Sequence, residues 1–364
     1  MCYNPQAMSK AEALKNLLKD RALRLGFQLF GVAPARRLEA DLERYHSWIE
    51  AGRHGSMTWL TQDWESRADP APLLPGARSV LALGMSYAQK VPNLSKASGH
   101  PEGRIARFAL GQDYHAVLLP RLEELAAFLR DTSPHCHTRC CVDTTPVLER
   151  AFAREAGLGF IGRNNCLIHP VHGSWFLLGL VIITDELPID QPLETLCGDC
   201  TECLEACPGK ALVAPWTLDS RRCLSWCTIE NKKNVPSDLE RPLEDRLFGC
   251  DACQEACPFN RAPLPCSEKQ LRPDGSDDLP EERYTLQNIF ALGSNREFQR
   301  VFKGTGLLRP QRKGLIRNAA TVAANLGRQD LAPALRNLES GDPSESVRQV
   351  ARASLLRLSP TAIS

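Results

Sequence analysis

Two cysteine runs constrain this chain more than any other feature: Cys197-x2-Cys200-x2-Cys203-x3-Cys207-Pro208 and Cys250-x2-Cys253-x3-Cys257-Pro258. Three closely spaced thiolates can hold three irons of one cubane. A fourth, displaced by three residues and followed by proline, reaches the neighbouring cluster. The pattern predicts a segment folded around two [4Fe–4S] clusters with crossed ligation. Cluster one takes Cys197, Cys200, Cys203 and Cys257. Cluster two takes Cys207, Cys250 and Cys253 but lacks one member, because Leu247 stands where the second run would begin. Cys223 and Cys227 are the candidates to complete it. Zinc also uses CxxC pairs, but it asks for four ligands in two separated pairs and not for a triple run followed by Cys-Pro.

The chain carries 15 cysteines in 364 residues. Thiolates that ligate iron must stay reduced, which points to the cytoplasm. The start, MCYNPQAMSK, leads into a charged helical pattern and not into the apolar core of a signal peptide. The longest apolar run, 175–183, is half of what a membrane span needs and reads as a buried strand. The net charge of +1 hides an asymmetry, since 13 Lys/Arg face 5 Asp/Glu from Arg283 to the end. A basic tail on an acidic body suggests a polyanionic partner, although a solvated helical surface would show the same excess.

Apolar residues at helical spacing predict a helix over 9–25, stopped at Gly26. Strands are expected at 29–32, 79–83 and 175–184. Helices are expected at 118–129 and 147–156, the second closed by Gly157. Strands and helices without a regular βαβ repeat imply an α+β fold. Residues 1–190 form the first domain and 191–265 a bacterial-ferredoxin-like domain. A Pro/Gly/Ser/Asp-rich linker follows at 266–283. Residues 284–364 are helical, with a weak repeat in which Ile316-Arg317 echoes Val347-Arg348, as in HEAT-like units.

Two cubanes could serve a pure electron carrier. The long segment before Cys197 is far more than a carrier needs, and it should house an active site. Four stretches there, together with the cysteine pattern, resemble the epoxyqueuosine reductase family. They are Arg107-Phe108-Ala109-Leu110-Gly111-Gln112-Asp113-Tyr114-His115, Val142-Asp143-Thr144-Thr145-Pro146-Val147-Leu148-Glu149-Arg150, Gly157-Leu158-Gly159-Phe160-Ile161-Gly162-Arg163-Asn164 and Gly173-Ser174-Trp175-Phe176-Leu177-Leu178-Gly179. The resemblance runs from about residue 10 into the helical tail.

The resemblance implies an oxidoreductase with cobalamin in the first domain, acting on the wobble base of a tRNA anticodon. The displaced cysteine corresponds to Cys223, which leaves Cys227 as a buried thiol. Cobalamin contacts are expected from Arg67, Asp143, Asn165, Ser174, Ser220 and Asp251. Cob(I)alamin would attack an epoxide carbon while Asp143, its pKa raised by burial, protonates the oxygen. Asp143 could equally cap the helix that follows. His115 is a lesser candidate as a cobalt ligand. For tRNA, Asn231, Lys232, Lys233, Arg312, Lys313 and Arg317 are expected contacts, with Arg309 and Arg348 on the same helical face. A low-potential electron donor and a monomeric state complete the expectation. The rival enzyme is a corrinoid–iron–sulfur reductive dehalogenase acting on a small molecule.

Overall fold

The structure, a computed structural model, describes residues 9–90, 99–273 and 284–359. A four-stranded antiparallel sheet of order β1-β2-β7-β4 organises the first part, with β1 at Leu29–Pro34, β2 at Ser79–Ser86, β4 at Thr138–Cys141 and β7 at Phe176–Ile183. Every residue of β2 is buried. Its period of two divides them between two layers. Leu81, Leu83 and Met85 pack on α1 (Lys10–Arg24) and α3 (Tyr114–Thr132). Val80 and Ala82 pack on α2 (Glu39–Glu50) and α4 (Glu149–Glu155). Gly179 in β7 lets α3 approach, because a Cβ there would stand 2.7 Å from Leu122. The expected strands and helices are present, although α2 is not among those expected and α4 begins at Glu149, after an extended loop.

Two short helices, α5 (Glu202–Glu205) and α8 (Ala252–Glu255), lie inside the cysteine runs and pack on each other. Between them come the hairpin β8–β9 (Leu212–Ala214, Thr217–Leu218), α6 (Leu224–Ile229), α7 (Ser237–Glu240) and β10 (Arg246–Phe248). The tail comprises α9 (Leu286–Phe290), α10 (Asn295–Val301), α11 (Gln311–Asn325), α12 (Ala332–Gly341) and α13 (Glu345–Leu358). It shares one hydrophobic core with the cysteine segment. Leu224, Cys227, Leu247 and Phe248 pack with Leu286, Leu315, Ile316 and Val347. Leu247, which stands where the second run would begin and has no donor atom to offer a metal, is fully buried in this core instead. The first part reaches into the same core through β3 (Arg104–Ile105), which pairs in parallel with β10.

The described part of the expected linker is a packed strap. Cys266 donates its N–H to the Ala88 carbonyl at 2.9 Å, and Gln112 N–H meets the Gln270 carbonyl at 2.8 Å. At Gly111 a Cβ would lie 2.3 Å from the Leu271 backbone, so only glycine admits the strap so closely. Residues 274–283 of the linker lie outside the described residues.

Candidate active site

The cysteine side chains gather in two groups. Burial pushes the Cys203 thiol up to about 11, and Cys257, Cys197 and Cys200 add to the shift as neighbours that would repel it once ionised. Burial likewise pushes Cys223 up to about 11, with Cys250 and Cys207 as its repelling neighbours. Cys253 is raised first by its hydrogen bond with Cys166 and then by burial, with Cys223 and Cys250 also near it. Burial likewise raises Cys257 and Cys250, so thiols of both groups resist ionising. Cationic iron relieves that conflict, so the donor set fits the clusters. Cys227 stands apart in the tail core, with Arg317 and Asn231 near it. A ninth thiol, Cys166, is a neighbour of Cys253 and Cys257. Asn164 ties the turn that carries Cys166 to α8, accepting the Cys166 N–H at 3.1 Å and donating to the Cys253 carbonyl at 3.4 Å. The spacing of the cysteines gave no sign of Cys166.

A cleft of about 670 Å³ opens between α2, the loop before α4 and the β8–β9 hairpin. Tyr45, Trp48, Leu60, Val147, Leu148 and Leu218 supply apolar walls, and Asp143, Glu149, Arg67 and Asn165 supply polar groups. Asp143 (φ 40°), Asn165 (φ 62°) and Trp216 (φ 58°) line it with left-handed backbones, a conformation that Asp and Asn tolerate and that is strained for bulky Trp216. Two buried donors in this wall have no partner, Asn165 Nδ2 and Arg67 Nε. An amide-bearing, largely apolar ring such as a corrin offers such donors their acceptors, so the cleft fits the implied cofactor.

Three of the six expected cobalamin contacts, Arg67, Asp143 and Asn165, line this cleft. The others do not. Ser174 is buried and accepts from Asn260 Nδ2 at 2.9 Å. Ser220 is buried and its N–H bonds the Arg53 carbonyl at 2.9 Å. Asp251 accepts from the Arg107 backbone N–H at 2.9 Å and pairs with its guanidinium at 3.1 Å.

Asp143 is no helix cap: Leu148 occupies the N-cap of α4 and makes no side-chain capping bond. The Asp143 carboxylate faces His115, with Oδ2 3.3 Å from Nε2. The other ring nitrogen lies 2.6 Å from Asp113 Oδ1, so both nitrogens face carboxylates rather than an open metal position. Those two bonds push His115 up to about 9. The same contact holds Asp143 below the usual carboxylate range, despite partial desolvation. The expectation that burial raises the Asp143 pKa is therefore reversed. The raised acid is Glu149, pushed up to about 8 by burial and then by the Asp143 charge. Glu149 accepts the Asp143 backbone N–H. Sequence reasoning gave Glu149 no role, and its only signal was its place in the second of the four stretches that carry the resemblance.

The expected tRNA residues divide as sharply. Lys232, Lys233 and Lys313 are exposed. Arg312 and Arg317 are 4% exposed and cannot meet phosphates. Arg312 pairs with buried Asp342, and Arg317 donates to the carbonyls of Asn231 at 2.7 Å and Cys227 at 2.8 Å. Asn231 is itself buried, with Nδ2 on the Asn234 carbonyl at 3.0 Å. Arg348 is tied to the Asp342 carbonyl and Glu345.

A family model described as "Epoxyqueuosine reductase QueG, DUF1730" matches residues 67–144, and one described as "4Fe-4S double cluster binding domain" matches 196–260. The epoxyqueuosine reductase of Xanthomonas campestris pv. campestris is 37% identical over 341 residues, 93% of each chain. A crystal structure of selenomethionine-labelled epoxyqueuosine reductase superposes with a TM-score of 0.87 at 30% identity, covering 96% of this chain and 91% of that one. Another, of epoxyqueuosine reductase with a tRNA-Tyr epoxyqueuosine-modified tRNA stem loop, gives 0.85 at 30% identity with the same coverage. No helix among the described residues is long and apolar enough to cross a membrane.

Proposed function

This chain belongs to the epoxyqueuosine reductase family, and on that premise we propose that it converts epoxyqueuosine to queuosine at the wobble position of a tRNA anticodon. The reaction takes two electrons and two protons, breaks both epoxide C–O bonds, and leaves an alkene and water. The observation that carries the reading is the Asp113–His115–Asp143 chain, which opens into a cleft connected through Asn165 and Cys166 to Cys253.

An epoxide oxygen leaves badly as an alkoxide, so the site must supply protons. At neutral pH His115 is an imidazolium and Glu149 a neutral carboxyl, two stored protons for a reaction that consumes two. Asp143 stands at the cleft with its side chain 62% exposed. It relays the His115 proton to the epoxide oxygen, Nε2 to Oδ2 to substrate. Asp113 orients the ring and keeps it charged between turnovers. Asn165 and Arg67 would hold the corrinoid through their unpartnered donors, and Tyr45, Trp48 and Leu218 would pack its apolar surface. When bound, the corrinoid supplies a cobalt nucleophile that can be reduced one electron at a time.

Cluster one is held by Cys197, Cys200, Cys203 and Cys257, and cluster two by Cys207, Cys223, Cys250 and Cys253. Lys232 and Lys233 of the cysteine segment and Lys313 of the tail contact the tRNA phosphates, and the tail serves as a short HEAT-like module. The enzyme works as a cytoplasmic monomer fed by a low-potential donor. Mass spectrometry of tRNA after incubation with the reduced, reconstituted enzyme tests the function. Loss of one oxygen from the wobble nucleoside is expected, and an unchanged mass would overturn it.

A further inference from the structure

Trp59 sits in a short 3-10 turn, Thr58–Thr61, and keeps 40% of its surface exposed. The turn forms one lip of the cleft. The Trp59 carbonyl accepts from Arg67 Nη2 at 3.1 Å, and its neighbour Leu60 lines the cleft beside Arg67. Across from it, Arg309 reaches out of the helical tail and places its guanidinium 5.4 Å from the indole centroid. Arg309 is held for this. Its Nε pairs with Glu230 Oε1 at 2.9 Å, and its carbonyl accepts from Lys232 Nζ at 2.7 Å. The side chain of Arg309 is nevertheless 55% exposed.

We propose that Trp59 and Arg309 together form a stacking platform for an unpaired base of the anticodon loop, beside the nucleotide that enters the cleft. The inference rests on the tRNA reading and adds a residue-level recognition surface to it. Single-stranded RNA is recognised by stacking of splayed bases on aromatic rings and guanidinium planes, next to cations that follow the backbone. All three elements meet here. The ring remains open with Arg309 already against it, the guanidinium strengthens the stack, and exposed Lys232, followed in sequence by exposed Lys233, meets the Arg309 carbonyl and neighbours exposed Lys313. Glu230, the acidic group in contact with the platform, is neutralised by Arg309. Every base has a π-face, so the platform holds the loop in register and leaves base choice to the cleft.

The test is anisotropy of a labelled RNA hairpin corresponding to the anticodon stem-loop, titrated with the reconstituted holoenzyme. Trp59→Leu keeps an apolar side chain, though a smaller one, and removes the π-face. It is expected to loosen binding about 10- to 100-fold, the scale of one base–aromatic stack, with the salt slope and melting temperature unchanged. Trp59→Phe should recover most of the loss. In the wild type, an abasic residue at one position flanking the wobble nucleotide should cost a similar factor, and in Trp59→Leu it should cost nothing further. Equal hairpin affinity of wild type and Trp59→Leu would overturn the platform alone. A wild-type enzyme with no affinity for the hairpin would overturn both the platform and the tRNA reading beneath it.

Discussion

Oδ2 of Asp143 lies 3.3 Å from Nε2 of His115, and the far nitrogen of the same ring lies 2.6 Å from Oδ1 of Asp113. An imidazole held between two carboxylates keeps its proton well above its ordinary range. His115 is raised from 6.5 to about 9. Its contribution to stability is complete below about pH 6.5 and is lost as pH rises through 9. Single-turnover epoxide reduction should therefore hold through neutral pH and fall at alkaline pH, as Glu149 and then His115 give up their protons. Asp113→Asn removes the larger cause of the His115 shift and should move the final fall toward neutral pH. A profile that does not move would detach His115 from proton delivery.

Asp143 is the group that faces the substrate space. Asp143→Asn keeps shape but cannot relay a proton. Turnover should drop by about 10²- to 10⁴-fold, the usual worth of general acid catalysis. Iron and corrinoid content per chain should match wild type. Wild-type turnover in this variant would remove Asp143 from the reaction.

Glu149 carries the opposite stability signature from a paired carboxylate. Its folded pKa is about 8 against an ordinary 4.5, so the folded state prefers the neutral acid. Stability falls as pH rises from about 4.5 to 8 and is flat above. Glu149→Gln preserves an acceptor for the Asp143 N–H and removes the charge. Above pH 8 the variant should be more stable by about 1–3 kcal/mol, discounted for solvent relaxation, and at pH 4 it should equal wild type. Chemical denaturation at the two pH values measures this. Equal stability at both would show that Glu149 ionises freely.

The sequence made the cysteine runs, the sheet strands and the helical tail legible because each depends on local spacing. Thiolates at x2 intervals and apolar residues at period two or 3.6 signal themselves over a few residues. Charge alone was misleading at Arg312 and Arg317. Their burial depends on Asp342 and on the carbonyls of 227 and 231, partners far along the chain. Asp143 was found, but its proton balance was not, since His115 comes to it from the start of α3, 28 residues earlier. Cys166 was invisible for the same reason. It meets Cys253 only once the β5–β6 loop (Phe160–Ile161, Leu167–Ile168) folds onto the clusters.

Cys223 and Cys227 are a matched pair for testing the second cluster. Cys223 lies near Cys207 and Cys250, whereas Cys227 is buried in the tail core. Cys223→Ala should reduce iron from about eight to about four per chain after anaerobic reconstitution. Cys227→Ala should keep the full complement and lose only packing. Equal iron in the two variants would refute Cys223 as the displaced ligand.

Arg312 and Lys313 are neighbours in sequence with opposite duties. The Arg312 guanidinium is 5% exposed and pairs with Asp342, which is 1% exposed, while its Nε bonds the Leu292 carbonyl at 2.6 Å. Removing one partner of a buried pair strands the other charge and costs about 3–5 kcal/mol. Arg312→Ala should therefore lower the melting temperature strongly, and the fraction still folded should bind an RNA hairpin with the wild-type salt slope. Lys313 points to solvent from the same turn of α11. Lys313→Glu should leave the melting temperature unchanged and flatten the dependence of log affinity on log salt by about one for each phosphate left without its cation. If the two variants exchanged these phenotypes, the division between core and RNA-facing cations on this helix would be wrong.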